Sequence, residues 1–196
     1  MKRLVLVIMI ACALMAAGCV GENTSSTTPH TALTQMLPQT NLPQGLTLLA
    51  VLTPHTKVNS STDVLTELDR LGEHKDRIPP IVDSAEGVYS FGGSYDANVY
   101  IVRFASPADA QSAYFAYLNQ SEFQRRLPYN YERFEVWLSH GKQITEIKDV
   151  SPSSDIRLIY AWYTNSTLFI VKGNSDQEQT RALASLVNSA AVHVSM

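Results

Sequence analysis

Cysteine is nearly absent from this sequence. Of its 196 residues only Cys12 and Cys19 are cysteines, and none occurs from residue 20 onward. That removes disulfide scaffolds, thiol catalysis, thiolate zinc sites, iron–sulfur clusters and covalent haem attachment from the whole of that stretch. Paired histidines are missing as well. His55, His74, His140 and His193 are scattered, and none has a second histidine four residues on, the spacing that sets two imidazoles on one helix face. There is no Gly-x-Ser-x-Gly elbow, and Gly92-Gly93 lacks the Lys and the Ser or Thr of a phosphate cradle. No cofactor or metal is expected from such a chain, and no enzyme activity is pointed to.

Basic charge is short too. The chain carries 15 Lys and Arg against 18 Asp and Glu, and setting aside Lys2 and Arg3 leaves 13 against 18, a formal charge of −5. A mildly acidic domain is a poor polyanion binder, so nucleic acid is not an expected partner.

One long apolar run is present, at the start. Lys2 and Arg3 form a positive n-region, and Leu4 to Ala17 carries no charge, which is the layout of a secretory signal peptide. The run is short of the roughly 20 residues a spanning helix needs. It ends in Leu14-Met15-Ala16-Ala17-Gly18-Cys19, where small residues let a peptidase approach the backbone and a thiol follows at once. This ending resembles the lipobox of bacterial and archaeal lipoproteins. The resemblance covers the first nineteen residues and implies cleavage before Cys19, a diacylglyceryl group on its sulfur, and a chain held by its lipid on the extracytoplasmic side of the cell membrane. The alternative is an uncleaved signal anchor, which puts the same domain outside.

Residues 1–18 are thus read as a signal peptide and 19–45 as a tether beginning at the lipidated cysteine. Val20 to Gln44 is rich in Ser, Thr, Asn, Pro and Gly, which gives little apolar surface to offset conformational entropy. Residues 46–196 are read as a single domain, long enough to be held by its core without disulfides.

Within that domain the apolar period decides the elements. Leu46 to Thr53 has strand length, and Val64, Leu65, Leu68 and Leu71 stand at helical spacing. After Pro79-Pro80, Val88 to Phe91 and Asn98 to Phe104 alternate around Gly92-Gly93-Ser94 and read as a hairpin. Ser106-Pro107-Ala108-Asp109 opens a helix whose face is Ala110, Ala113, Tyr114, Tyr117 and Leu118. Four strands follow, over Tyr131 to Leu138, Gln143 to Val150, Ile156 to Tyr163 and Thr167 to Lys172. A last helix spans about Asp176 to Val192, with Ser175 as its cap and Ala182, Leu183, Leu186, Val187 and Ala190 inward.

The strand-to-helix unit recurs at an offset of 69 residues: Tyr100-Ile101-Val102-Arg103 matches Phe169-Ile170-Val171-Lys172, and Ser106 falls on Ser175. Packing two duplicated strand-strand-helix units side by side predicts an α+β fold, an antiparallel sheet with both helices on one face.

Few residues carry candidate chemistry. Arg125, Arg126 and Arg133 surround Leu127-Pro128-Tyr129-Asn130-Tyr131, the one local concentration of Arg with aromatics. It reads as a helix end and loop, or as a ligand patch of Arg125, Arg126, Tyr129, Tyr131 and Arg133 suited to an acidic glycan or a phosphorylated head group. Glu132 and Glu135 are paired in sequence, as any acidic chain supplies. Glu73-His74-Lys75-Asp76 reads as a solvated helix end. Tyr160 and Trp162 share a strand face and are expected to pack under a helix. These observations imply a lipid-anchored extracytoplasmic binding or interaction module whose partners are the membrane, through its lipid, and other envelope proteins or glycans. A small-molecule receptor or hydrolase with a pocket at the sheet, and a structural envelope component, are the alternatives.

Overall fold

The computed structural model describes residues 33–54, 78–92, 94–128, 131–150, 156–173 and 177–194. Cys19, the helical spacing at 64–71, the run from Glu73 to Asp76 and the cap at Ser175 lie outside them. The elements run β1 (Leu46–Leu52), β2 (Ile81–Phe91), β3 (Ser94–Phe104), α1 (Pro107–Leu118), a 3₁₀ turn (Ser121–Gln124), β4 (Phe134–Ser139), β5 (Lys142–Val150), β6 (Ile156–Thr164), β7 (Thr167–Gly173) and α2 (Gln177–Val194). The seven strands make one sheet in the order β1-β2-β3-β7-β6-β5-β4, with every neighbouring pair antiparallel. Among the described residues two helices pack against it, and the fold is α+β.

Local chemistry accounts for the element ends. The Ser106 hydroxyl accepts from the Asp109 amide at 3.1 Å and donates to its carboxylate at 2.8 Å, and Pro107 supplies a preset φ in the first turn of α1. His140 and Gly141, at φ 48° and 74°, make the two-residue turn between β4 and β5, the left-handed pair such hairpins need. Asn165, at φ 52°, turns β6 into β7.

The helices do not share a face. Tyr100, Val102 and Phe104 of β3, Ile159 and Ala161 of β6, and Leu168 and Ile170 of β7 pack under Ala110, Ala113 and Tyr117 of α1. Val99 and Ile101, Tyr160 and Trp162, and Phe169 and Val171 pack under Leu183, Ala184, Val187 and Ala191 of α2. The expected placement on one face fails for a reason of parity. β3 pairs with β7 so that Tyr100 lies opposite Ile170 and Ile101 opposite Phe169. Directly opposed residues share a face, so an odd offset of 69 sends matched positions to opposite faces. Tyr100 and Phe169 each face the helix that follows them, and those helices therefore lie on opposite sides of the sheet. A rotation that superposed the two hairpins would leave both helices on one side, so the sequence echo does not extend to a repeated packing unit. On α2 the inward stripe is Leu183, Ala184, Val187, Asn188 and Ala191, one step round from the expected face.

The core also begins earlier than residue 46. Leu33, Met36 and Leu37 are buried in the α2-side core, and the Tyr89 hydroxyl donates to the Pro38 carbonyl at 3.0 Å. Their i, i+3, i+4 spacing is that of one helical turn, and the Met36 amide bonds to the Leu33 carbonyl at 3.1 Å. The stretch read as tether therefore contributes to the core from Leu33.

Gly173 closes β7 against the first turn of α2. A Cβ there would lie 1.9 Å from the Thr180 hydroxyl oxygen. Gly173→Ala is expected to cost about 1–3 kcal/mol by overpacking, read as a lower urea midpoint at unchanged slope.

Candidate functional site at the β4 edge

β4 is the last strand of the sheet, and both its faces are informative. Neither helix extends its main packing this far: α1 lies over β3, β6 and β7, and α2 over β6 and β7. On the α1 side Phe134, Val136 and Leu138 alternate along the strand at 40%, 63% and 71% exposure. Phe134 is seated edge-on against Phe123, with centroids 6.3 Å apart, and Val136 stands opposite Thr145, whose hydroxyl shares a 2.6 Å hydrogen bond with Tyr114. Phe115, half exposed, continues the aromatic surface from Tyr114 at 5.2 Å. An apolar strip of this kind is the usual mark of a contact surface.

On the α2 side β4 presents charge. Glu135 lies directly opposite Glu146 on β5, which lies opposite Tyr160 on β6. The acid nearest Glu135 across the sheet is thus Glu146, while Glu132 sits in the exposed approach to β4. Two cations meet this like-charged pair. The Lys148 ammonium donates to Glu135, and the Arg181 guanidinium stands 3.8 Å from the buried Glu146 and 5.0 Å over the Trp137 ring. Trp137 meets Tyr160 edge to face at 5.8 Å. Burial, and then the Glu146 charge, push the Tyr160 hydroxyl well above the ordinary tyrosine value. The end of the strand is fixed to α2: Asn188 donates its amide to the Ser139 carbonyl at 2.7 Å, and the Ser139 and Ser185 hydroxyls are 3.1 Å apart.

The arginine patch divides into two kinds of residue. Arg133 is scaffold: its guanidinium donates to the Lys148 carbonyl at 2.7 Å and to the Arg125 carbonyl, and lies 3.8 Å from Asp149. Asp149 is also held by Arg157, whose Nε donates to it at 2.8 Å. These bonds fasten the chain after the 3₁₀ turn to β5. Arg125 and Arg126 are exposed, and Tyr131 is half exposed with the Lys148 ammonium 6.0 Å from its ring centroid. Tyr129 lies outside the described residues. The structure therefore places Arg133 in the framework of the patch and leaves Arg125, Arg126 and Tyr131 at its surface.

A second polar group was legible only in strand parity. Asn98 donates its amide to Glu86 and to the Tyr100 hydroxyl at 3.0 Å, and the buried Lys172 lies directly opposite Asn98. Asn98, Tyr100 and Val102 share one face of β3, so polar residues at even positions of an otherwise apolar row are the signal that marks it. Among the described residues no group of three His, Cys, Asp or Glu is placed to hold a metal ion, and no helix is long and apolar enough to cross a membrane.

No protein-family model matches the chain, and no curated protein matches it. Among solved structures it is similar to the extracellular domain of PknH from Mycobacterium tuberculosis, with a TM-score of 0.52 and 10% identity over 84% of this chain and 97% of that one. The likeness is one of fold.

Two outcomes are expected at this edge. Arg133→Ala should cost about 1–3 kcal/mol in urea unfolding, since it leaves two carbonyls without this donor and removes one of the two cations from Asp149, whereas Arg125→Ala and Arg126→Ala should stay within about 0.5 kcal/mol. Tyr160 is held in its neutral form by the fold, so its contribution is complete below the unfolded tyrosine pKa near 10 and is lost as pH rises above it. Midpoints measured from about pH 8 to about pH 11 should fall less steeply for Tyr160→Phe than for the parent.

Proposed function

We propose that this chain is an exported domain, tethered by a lipid on Cys19 to the outer face of a cell membrane, that works as an interaction module through its β4 edge. The observation that carries the proposal is the alternation of exposed Phe134, Val136 and Leu138 on an edge strand, beyond the main packing of either helix. Apolar side chains left in water at every second position of a sheet edge are stabilised when a partner covers them. The leader supports the extracytoplasmic part of the reading: a positive n-region, a short apolar run, and small residues before a cysteine. The fold likeness to the extracellular domain of another protein supports the same part. Anchor and tether together confine the edge to a thin layer, which raises its effective concentration toward neighbouring surface components.

The test has two arms. Cys19→Ala should move the protein from the detergent phase to the aqueous phase in detergent partition, and retention in the detergent phase would overturn the lipid anchor. A photo-reactive residue at Leu138 in growing cells should give discrete adducts, and the same residue at the exposed Gln111 should not. Equal labelling at both positions would overturn the β4 edge as the contact surface.

A further inference from the structure

We infer that the β4 edge takes a second copy of this chain, joined strand to strand about a two-fold axis through Val136; the inference rests on β4 being the contact surface. The first ground is the contrast between the two ends of the sheet. β1, the other edge, is interrupted by a register shift between Leu48 and Ala50 that leaves Leu49 unpaired and exposed. A bulge of this kind blunts an edge against further pairing. β4 keeps an unbroken register with β5 over all six residues and contains no proline, lysine or bulge.

The second ground is where the backbone groups point. The two-residue turn at His140-Gly141 makes Ser139 and Lys142 a hydrogen-bonded pair, and the Lys148 amide donates to the Arg133 carbonyl at 2.9 Å. Odd-numbered residues of β4 thus direct their N–H and C=O groups at β5. Phe134, Val136 and Leu138 direct theirs outward. An antiparallel pairing centred on Val136 sets Val136 against Val136 of the second copy and Phe134 against its Leu138. Every outward backbone group then meets a partner, and the two apolar strips become one.

The third ground is charge on the opposite face. In the same register Glu135 comes to lie opposite the second copy's Trp137, and Arg181 sits 5.0 Å above that indole with 55% of its side chain exposed. Glu135, itself 51% exposed in its side chain, thereby meets an arginine, and the two-fold axis makes the contact twice. A register shifted by one residue on one strand would turn the apolar strip of one copy to the charged face of the other. The pairing is therefore self-complementary in hydrogen bonds, apolar surface and charge at once.

The absence of cysteine beyond residue 19 supplies a clean test on the full-length protein in its own membranes. Directly opposed residues in a hydrogen-bonded antiparallel pair are about 5.5 Å apart at Cα, within disulfide range. Val136→Cys should form a covalent dimer under mild oxidation. Phe134→Cys and Leu138→Cys, each alone, should give about tenfold less, and the two co-expressed should cross-link to one another. Equal dimer from all three single variants, or none from Val136→Cys, would overturn the inference. If Val136→Cys stays monomeric while the photo-reactive residue at Leu138 captures a different protein, the second copy is wrong and the contact surface stands; if neither position yields an adduct, both fall. Glu135→Lys should reduce the Val136→Cys dimer several-fold by opposing two cations, and the neutral Glu135→Gln should reduce it less.

Discussion

Strands β3, β6 and β7 are apolar on both faces, and the need to keep both faces from water governs the rest of the molecule. Every residue of β7 is buried. A sheet centre of that kind cannot be covered by helices on one side, so α1 and α2 divide between the two sides, and the chain must carry a crossover from β3 to β4 over the α1 face. The same demand draws Leu33, Met36 and Leu37 into the α2-side core. With α1 and α2 covering the middle strands, Phe134, Val136 and Leu138 of β4 are left exposed on the α1 side, and the proposed contact surface follows from that exposure.

Much of this was legible because it is local. The hairpin turns, the Ser106 cap, the strand runs from Leu46 to Lys172 and the pairing of Tyr160 with Trp162 under a helix each depend on a few neighbouring residues, and each was found within a residue or two, apart from β2, which starts at Ile81, β3, which starts at Ser94, and β4, which starts at Phe134. Residues 131–133, counted into that strand, instead form the approach that Arg133 ties to β5. What was not legible depends on register between distant strands. The echo between Tyr100 and Phe169 is real as a local pattern, yet which face each occupies is decided by the pairing of β3 with β7, and one residue of offset reverses it.

The candidate site shows the same division. The arginines near residue 130 were visible as a composition, but composition does not tell a donor aimed at a carbonyl from one aimed at solvent, and Arg133 is the former. Glu135 and Glu146 are eleven positions apart, and nothing local joins them to Tyr160, Trp137 and Arg181; three strands and a helix have to assemble first. The exposed strip on β4 looks in sequence like any half-buried strand, because alternation reports that two faces differ and not which one the protein covers.

The seam between β3 and β7 has a kinetic consequence. β1, β2 and β3 pair with one another in sequence order, and so do β4, β5, β6 and β7, whereas the seam joins residues 97–103 to residues 167–173. Closing so long a loop is slow, and it cannot begin until the last strand exists. A chain emerging N-terminus first therefore carries β3, apolar on both sides, unsealed until β7 has followed it through synthesis or export. Holdase binding would serve this chain most during that interval, at β3 rather than at either edge of the finished sheet.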